Sequence, residues 1–286
     1  MSVPRDRDLP TQLPPAVRAF DKSALRFDER FGAWRSVAAQ RAAVRRYLTR
    51  IFPVGSRLLE LGAGTGEDAI YLMERERRVT LTDGSPRMVE FATEKVRAAG
   101  FGPATASVEQ LILEEIGDYV AGAGGREAYD GAYSNFAALN CLPDLQGLGR
   151  PLARLVRPGG SLAFVVFGPC SVGEMVVELV RGRPAAAFRR LRRRAAPGRL
   201  GGESFEVWYP SPRAVASALA PYFRRRSIRG IGIMVPPSAA EPWISRFPRL
   251  VSSLEAADRV LSAPLALLAD HVLIHLERTM HAAPEE

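Results

Sequence analysis

Two carboxylates and the glycine-rich turn between them are the residues of this chain best suited to bind a ligand. Glu60 opens the sequence E-L-G-A-G-T-G at the end of an apolar run, and Asp83 ends the next apolar run. Glycines at alternate positions let the backbone turn sharply and approach a ligand, because no Cβ atoms stand in the way. A carboxylate about twenty residues after the first glycine can accept both hydroxyl protons of a ribose. These residues therefore indicate a ribose-containing ligand at the carboxyl ends of two parallel strands.

The position of the third glycine discriminates between two classes of ligand. A dinucleotide fingerprint, G-x-G-x-x-G, needs a glycine at position 67, where this chain has Glu67. The pattern found here, E-x-G-x-G-x-G, resembles the first motif of the class I S-adenosylmethionine (SAM) methyltransferases. An NAD-dependent oxidoreductase is therefore the weaker interpretation, although Asp83 alone would suit either cofactor.

The resemblance covers residues 50–168 closely and implies SAM as the cofactor, with S-adenosylhomocysteine as the product. In the family the turn faces the methionine and ribose of the cofactor, and the residues after the second strand meet the adenine. The family's third strand often carries an acid for the adenine amino group. Ser107 stands at that position here, which leaves the Val108 amide and the Glu109 side chain as substitutes. The cofactor-binding residues implied are Glu60, Gly62, Ala63, Gly64, Gly66, Asp83, Gly84, Ser85, Met88, Val108, Glu109, Ser134 and Asn135.

The methyl acceptor is less well indicated than the cofactor. The family places the residues nearest the transferring methyl group after the fourth strand, where this chain reads S-N-F-A-A-L-N at 134–140. An N-P-P-Y motif is absent there, which counts against methylation of nucleic-acid bases. An in-line displacement gains much of its acceleration from positioning, and it needs a base only when the acceptor must lose a proton, so no catalytic residue is assigned. Our candidates for acceptor contact are Phe27, Phe31, Tyr133, Asn140 and Tyr209.

An aromatic stripe precedes the core of the chain. A helical pattern over Pro15–Trp34 carries Phe20, Phe27, Phe31 and Trp34 on one face. The stripe either packs into the core or forms a lid, as the corresponding segment does in the family. That family segment commonly reads Y-D-x-x-Y, whereas this chain reads F-D-E-R-F, so any role of the tyrosine hydroxyls is lost.

Strands that alternate with helices predict the fold. Five such strands precede residue 168, and two later ones complete a set of seven, which predicts an α/β fold with a doubly wound, mostly parallel seven-stranded sheet. Helices cover both faces of this predicted sheet, and its last strand runs antiparallel. We divide the chain into an N-terminal helical lid at 1–50, a SAM-binding Rossmann-like core at 51–168 and a completion of the sheet at 169–286. Helical cap insertions are expected at about 169–208 and 237–269.

The predicted strands and the least regular segments can be stated by residue. The expected strands are Arg57–Leu61, Arg78–Thr82, 104–107, Tyr129–Phe136, Ser161–Phe167, Ser227–Val235 and His271–Arg278, and Glu203–Tyr209 is a further candidate strand. Residues 171–200 are expected to be helical, and Gly124 and Gly125 to lie in a loop. His271 and His275 flank apolar residues of the last strand, so we favour a structural role for them over a catalytic one.

Length and composition exclude several classes of protein. A chain of 286 residues with 47% hydrophobic content can bury one substantial core. No apolar run has the length of a membrane span, and the N-terminus lacks a signal core. Cys141 and Cys170 have no metal or redox spacing, so we expect a cytoplasmic protein without a metal site.

The positive charge is local. The formal net charge is +8, and eight arginines lie between Arg181 and Leu200, with four more between Arg224 and Arg229. Without these twelve the remaining chain carries −4, so we favour a solvated arginine-rich face over a nucleic-acid site. Peripheral contact with an anionic membrane is the alternative, which would make the acceptor a lipid-like molecule. A SAM-binding module without catalysis is the other interpretation left open. A small-molecule substrate is the expected partner.

Overall fold

Nine strands form one large sheet and one hairpin in the computed structural model, which describes residues 13–122, 128–191 and 195–280. The strands are β1 Arg57–Leu61, β2 Arg78–Asp83, β3 Ala106–Gln110, β4 Tyr129–Ser134, β5 Val156–Phe167, β6 Ala196–Leu200, β7 Glu203–Val207, β8 Phe223–Ile231 and β9 His271–Arg278. Seven of them form a sheet in the order β3-β2-β1-β4-β5-β9-β8. This confirms the predicted seven-stranded α/β fold.

Eleven α-helices connect and flank these strands within the described ranges. They are α1 Pro15–Ser23, α2 Phe27–Gly32, α3 Arg35–Ile51, α4 Glu67–Met73, α5 Pro86–Ala98, α6 Ile116–Gly122, α7 Gly149–Leu155, α8 Val172–Val180, α9 Pro184–Ala187, α10 Pro212–Ala218 and α11 Pro248–Leu261. The predictions made for residues 1–12, Gly124, Gly125 and Arg192–Arg194 lie outside the described residues. No described helix has the length and apolar character needed to cross a bilayer.

The sheet is covered on both faces because neighbouring residues of a strand point to opposite sides. Leu59 of β1 belongs to a buried cluster with Leu152 of α7. Leu58, its neighbour, belongs to a second cluster with Leu72 of α4 and Val96 of α5. Strands buried on both faces read as continuous apolar runs, which is the pattern of the predicted core strands.

Strand β9 is antiparallel to both of its neighbours, as expected. His271 pairs with Phe167, the last residue of β5, and with Ile231, the last residue of β8. The first residue of β9 therefore lies at the edge where the parallel strands end, although it comes more than a hundred residues after the core. That edge is where open α/β sheets bind their ligands.

The prediction that residues 171–200 are helical is wrong at its end. Ala196–Leu200 is strand β6, which pairs with β7 in a separate two-stranded hairpin. Gly201 and Gly202 connect the two strands with φ of +58° and +81°. A two-residue turn with positive φ at both positions is a favoured hairpin connection, and a glycine pair suits it. The glycine pair was thus the missed signal.

The aromatic N-terminal segment is broken rather than continuous. A short 3-10 turn at Ala24–Arg26 separates α1 from α2. The rings still contact one another in succession, with 4.9 Å between the centroids of Phe27 and Phe31 and 5.4 Å between Phe31 and Trp34. Helix α1 rests on the hairpin through Phe20 and Phe205, whose centroids are 6.0 Å apart. The lid segment is therefore held by an insertion far away in sequence.

Several strands differ in extent from their predictions. Strand β5 begins at Val156 instead of Ser161, and β4 ends at Ser134 instead of Phe136. Strand β3 runs to Gln110, which pairs with Asp83, so the chain leaves the sheet later than expected. Strand β8 begins at Phe223 and ends at Ile231, several residues earlier than predicted. The division into lid, core and caps stays a prediction, although β8 and β9 belong to the same sheet as the core strands.

Candidate cofactor and acceptor site

The glycine turn after β1 needs glycine for two separate reasons. Gly62, Gly64 and Gly66 have φ of +71°, +56° and +82°, the region that side chains disfavour. A Cβ atom on Gly62 would also lie 2.3 Å from the Cβ of Ala138. The turn is therefore compressed between β1 and the loop after β4, which leaves its backbone next to any ligand at the sheet edge.

Asp83 organises the turn from the end of β2. Its Oδ2 accepts a hydrogen bond of 2.8 Å from the Gly64 amide, and its Oδ1 accepts one of 2.9 Å from the Ser85 amide. Burial raises the pKa of Asp83, while the two amide bonds oppose that shift. Each carboxylate oxygen has a second lone pair, so ribose hydroxyls can still donate to it.

A cavity of about 710 Å³, counted with its opening to solvent, lies over this turn. Its polar floor contains Gly62, Gly64 and Asp83, and Met88 lies beside them. The lid supplies Val17 and Phe27 to its wall. The cavity thus joins a ribose-type carboxylate to an apolar enclosure.

The third strand contributes to this cavity differently from the prediction. Val108 and Glu109 do not line it, whereas Leu111, Leu113 and Glu114 do. The Glu109 carboxylate instead accepts a hydrogen bond of 2.9 Å from the Tyr119 hydroxyl. The longer β3 explains the shift, because the residues that face the cavity follow the strand instead of lying within it. No motif in the sequence marked these three residues.

A buried polar cluster lies behind the glycine turn. Burial raises the pKa of Glu60 well above its usual value, and the neighbouring Asp68 adds to the effect. Arg45 Nε donates to Asp68 Oδ1 at 2.6 Å, and Asn135 Nδ2 donates to Asp68 Oδ2 at 3.1 Å. The Tyr133 hydroxyl donates a hydrogen bond to the Glu60 carboxyl and partly opposes the rise in its pKa. Asn135 Oδ1 and Arg41 Nε are buried without a hydrogen-bond partner among the described residues, although Arg41 Nε lies 3.9 Å from Asp68 Oδ1. Such atoms are unusual in proteins and suit a ligand that carries both an ammonium and a carboxylate.

The remaining predicted cofactor residues support the turn. Ser134 Oγ donates to the Leu61 carbonyl at 2.8 Å and joins the ends of β4 and β1. Ser85 N-caps α5 by accepting from the Met88 amide at 3.1 Å. Gly84 lines the cavity, while Ala63 and Gly66 shape the turn without lining it.

Contacts from the lid close the turn from above. Asp28 of α2 accepts a hydrogen bond of 2.7 Å from the Thr65 hydroxyl and forms an ion pair with Lys95. Lys95 also pairs with Glu67 at 2.7 Å. The aspartate of the F-D-E-R-F segment therefore ties α2 to the glycine turn, without the hydroxyls of the related tyrosine motif.

The candidates for acceptor contact do not form one group. Phe27 lines the cofactor cavity, and Phe31 lines a groove between α2 and α3 that also contains Arg41. Tyr133 is fully buried in the core. The side-chain amide of Asn140 is hydrogen-bonded to the backbone at both ends. Its Nδ2 donates to the Trp208 carbonyl at 2.6 Å, and its Oδ1 accepts from the Phe167 amide at 3.0 Å.

Aromatic rings surround His271 at the carboxyl edge of the sheet. The His271 ring stacks on Phe167 at 4.9 Å between centroids and meets Phe136 edge-on at 5.2 Å. Phe136 lines the cofactor cavity. The ring centroid of Tyr209 lies 5.9 Å from that of Phe167. We call Phe136, Phe167, Tyr209 and His271 the edge aromatics.

The arginine-rich insertion reaches into this region, which corrects the prediction of a purely solvated face. Arg190 is buried and pairs with Asp270 at 2.6 Å and with Glu174 at 2.5 Å. Its other donor, Nη1, bonds the Asp270 carbonyl at 2.6 Å. A buried guanidinium is stable only when carboxylates and carbonyls compensate its charge, as here. Arg190 thus fastens the insertion to the start of β9.

Comparison with known proteins agrees with this geometry. Residues 58–160 match a family model described as a methyltransferase domain. A malonyl-(acyl-carrier protein) O-methyltransferase from Halorhodospira halophila is 28% identical over 262 residues, which span 85% of this chain and 79% of that protein. An S-adenosyl-L-methionine-dependent Diels-Alderase from Talaromyces variabilis is 27% identical over 154 residues, or 51% of this chain and 42% of that protein. The crystal structure of a SAM-dependent methyltransferase from Methanosarcina mazei has the same fold, with a TM-score of 0.55 and 15% identity over 82% of this chain and 98% of that one.

Proposed function

We propose that this chain is a class I SAM-dependent methyltransferase that methylates a small, partly apolar molecule. The match of residues 58–160 to a methyltransferase domain and the shared fold support this proposal. The observation that supports this acceptor most directly is the cavity over the glycine turn. Its wall beyond Asp83 is mostly apolar and includes Phe27, Phe136 and Leu142, with Glu114 as a second carboxylate. An acceptor with a substantial apolar surface fits such a wall.

We assign the cofactor contacts from the positions of this chain's own residues. Asp83 accepts the ribose hydroxyls, and Met88 and Leu111 enclose the adenine. SAM supplies a methyl group on a positively charged sulfonium. Arg41 and Glu60 lie behind the turn and suit the carboxylate and the ammonium of its methionine part. The protein's contribution is to hold the cofactor and the acceptor in line, which can supply much of the acceleration.

Calorimetry tests the cofactor assignment. The purified chain is expected to bind SAM or S-adenosylhomocysteine at micromolar concentrations. Asp83→Ala should weaken binding about 100-fold, because hydrogen bonds to a charged group contribute about 1.5–3 kcal/mol each. If neither ligand produces heat of binding, the cofactor assignment is wrong.

Asp130→Ala is the matched control for this experiment. Asp130 also accepts a backbone amide, from Arg57 at 2.8 Å, but it lies at the opposite end of β1. Its loss should leave SAM affinity within threefold of the native value. Equal weakening by both substitutions would show that Asp83 acts through general stability alone.

A membrane-associated acceptor is a second candidate, favoured by one surface. Val176, Val180, Phe188 and Leu191 are exposed on and after α8, with Val180 84% exposed. Arg181 and Arg183 lie beside them. Exposed apolar side chains flanked by cations suit an anionic bilayer, which we propose as the occupant of this α8 surface.

Vesicle co-sedimentation tests this docking. Binding should require phosphatidylglycerol in phosphatidylcholine vesicles, weaken with salt and be lost in Val180→Asp. Val54→Asp is the control, because Val54 is 61% exposed just before β1, away from the carboxyl edge of the sheet. Binding that ignores lipid charge and salt would rule the docking out.

The relative named as a Diels-Alderase bears on a third candidate, a SAM-binding protein that transfers no methyl group. Methyl-labelled SAM incubated with the protein and a cell extract separates these candidates. Label in an organic-soluble product supports methyl transfer to a small acceptor. Tight SAM binding without labelled product from any extract fraction would favour the non-transferring protein.

A further inference from the structure

We propose that His271 is the proton acceptor for a hydroxyl-bearing aromatic or enolic substrate that binds against the edge aromatics. This proposal rests on the methyltransferase function proposed above and names the class of acceptor for that site. It also assigns a catalytic role to a residue for which the sequence favoured a structural one.

The position of His271 is set by the sheet. It begins β9 opposite the last residues of β5 and β8, at the edge where the glycine turn also lies. One aromatic ring, Phe136, separates it from the cofactor cavity and contacts both. We place a flat apolar acceptor along Phe136 and Phe167, where its hydroxyl would approach the imidazole.

The tautomer of His271 follows from its hydrogen bonds. Nδ1 lies 3.0 Å from Gln40 Oε1, while Gln40 Nε2 donates to Asp270 Oδ2 at 3.3 Å. Reversing the Gln40 amide would place its oxygen against the Asp270 carboxylate, so the amide is oriented. A carbonyl oxygen only accepts, so Nδ1 carries the proton. Nε2 then keeps its lone pair, and no described residue donates a hydrogen bond to it.

The surroundings of the ring support a neutral imidazole that can take a proton transiently. Burial lowers the pKa of His271 to about 4, so the ring is neutral at physiological pH. Asp270 lies 3.4 Å from Nδ1 and favours the imidazolium, whereas Arg190 opposes it. Glu174 pairs with Arg190 and offsets part of that opposition. An imidazolium formed during the reaction therefore has a carboxylate beside it.

The proposed step balances in charge and atoms. The acceptor oxygen attacks the methyl carbon, the bond between that carbon and sulfur breaks, and its electron pair stays on sulfur. The hydroxyl proton moves to Nε2 of His271. The positive charge thus passes from the sulfonium to the imidazolium, and the products are a methyl ether and S-adenosylhomocysteine. A carboxylate acceptor has no proton to lose and would not need His271.

Nitrogen NMR tests the proposal before any turnover is measured. In ¹⁵N-histidine-labelled protein at pH 7, Nε2 of His271 should show the shift of an unprotonated nitrogen, and Nδ1 that of a protonated one. Adding catechol, whose hydroxyls are protonated at this pH, to the complex with S-adenosylhomocysteine should move the Nε2 resonance. The signal is assigned by its absence in His271→Asn. A protonated Nε2, or no change with catechol, would overturn the proposal.

Kinetics give the second test. Positioned general bases contribute about 10²–10⁴-fold, so His271→Asn should lower the rate of catechol methylation at pH 7 at least 100-fold. Asn can still donate to Gln40 but offers no imidazole nitrogen. His275→Asn is the matched control, because His275 lies on the same strand and bonds Ser161 Oγ at 3.1 Å. A loss below threefold in His271→Asn, or an equal loss in both variants, would contradict the assignment.

Failure of this proposal can be told apart from failure of the methyltransferase function. Both variants should bind SAM within threefold of the native affinity in calorimetry. If SAM binds and catechol is methylated at the same rate in native protein and His271→Asn, the function stands and the base is refuted. If SAM does not bind at all, the proposed function itself fails.

Discussion

The cofactor half and the acceptor half of this sheet edge are built in different ways. The cofactor half is local, since Gly62, Asp83 and Met88 lie within the continuous segment β1-α4-β2-α5 and much of their role belongs to backbone amides and tight turns. The acceptor half joins Gln40 and Arg190 to the start of β9 through contacts that span 231 and 80 residues. A local turn can be specified by a few residue types, whereas a distant network exists only once the chain has folded.

Breaking the buried network should give the largest effect. Arg190→Met leaves Asp270 and Glu174 buried without their cation, and removing one partner of a buried ion pair costs about 3–5 kcal/mol. Chemical denaturation should show this loss in the free energy of unfolding. Arg181→Met is the control, because its pair with Glu178 is 41% exposed on the arginine side and should contribute at most about 1 kcal/mol.

SAM affinity measured in the same Arg190→Met protein under folding conditions tests whether the two halves are independent. Because the cofactor half is local, affinity should stay within threefold of native. A parallel collapse of cofactor affinity would show that the two halves are not separable.

Gly62→Ala, which compresses the glycine turn, should give the next largest effect. This effect lies in the cofactor half. Gly62→Ala places a Cβ 2.3 Å from that of Ala138 at a positive φ, so the turn must move away from the ligand. SAM affinity should fall about 100-fold, equivalent to about 2.7 kcal/mol. Gly55→Ala is the matched control, because Gly55 has φ of +81° but nothing within 4 Å of the added Cβ. If both substitutions weaken binding alike, backbone strain alone would explain the loss.

A pH dependence of stability gives the smallest effect. The folded pKa of His271 is lowered from 6.5 to about 4, so the unfolded chain binds the extra proton as the pH falls. Stability is therefore full above the unfolded pKa and declines through the window from 6.5 down to 4. Between pH 7 and pH 5 this group should account for a loss of about 2 kcal/mol.

Denaturation at both pH values in native protein and in His271→Asn measures this difference. The variant should lose less stability than the native protein over the same interval. Asp270, whose pKa is lowered partly by His271 and Arg190, contributes only at lower pH. An identical pH dependence in the two proteins would show that His271 is protonated when folded.

The order of strands and the cofactor turn were predictable because each depends on short patterns. Strands β1 and β9 match their predicted bounds residue for residue. Strand β7 matches the start of the candidate strand at Glu203, but β6 was missed because the glycine pair at the hairpin turn was not recognised. Leu111 and Glu114 were missed as cavity residues because their position depends on how far β3 extends beside β2.

The cofactor half of this protein could be predicted from its sequence, because a glycine turn without dinucleotide spacing and an aspartate at the end of the next strand define it. Those features act over a few residues, where backbone geometry and residue type suffice. The acceptor half can be recognised only in the folded structure. Folding buried Arg190 out of an arginine-rich run and brought Gln40 against His271, because which distant charges and amides meet is a property of packing and not of any local pattern.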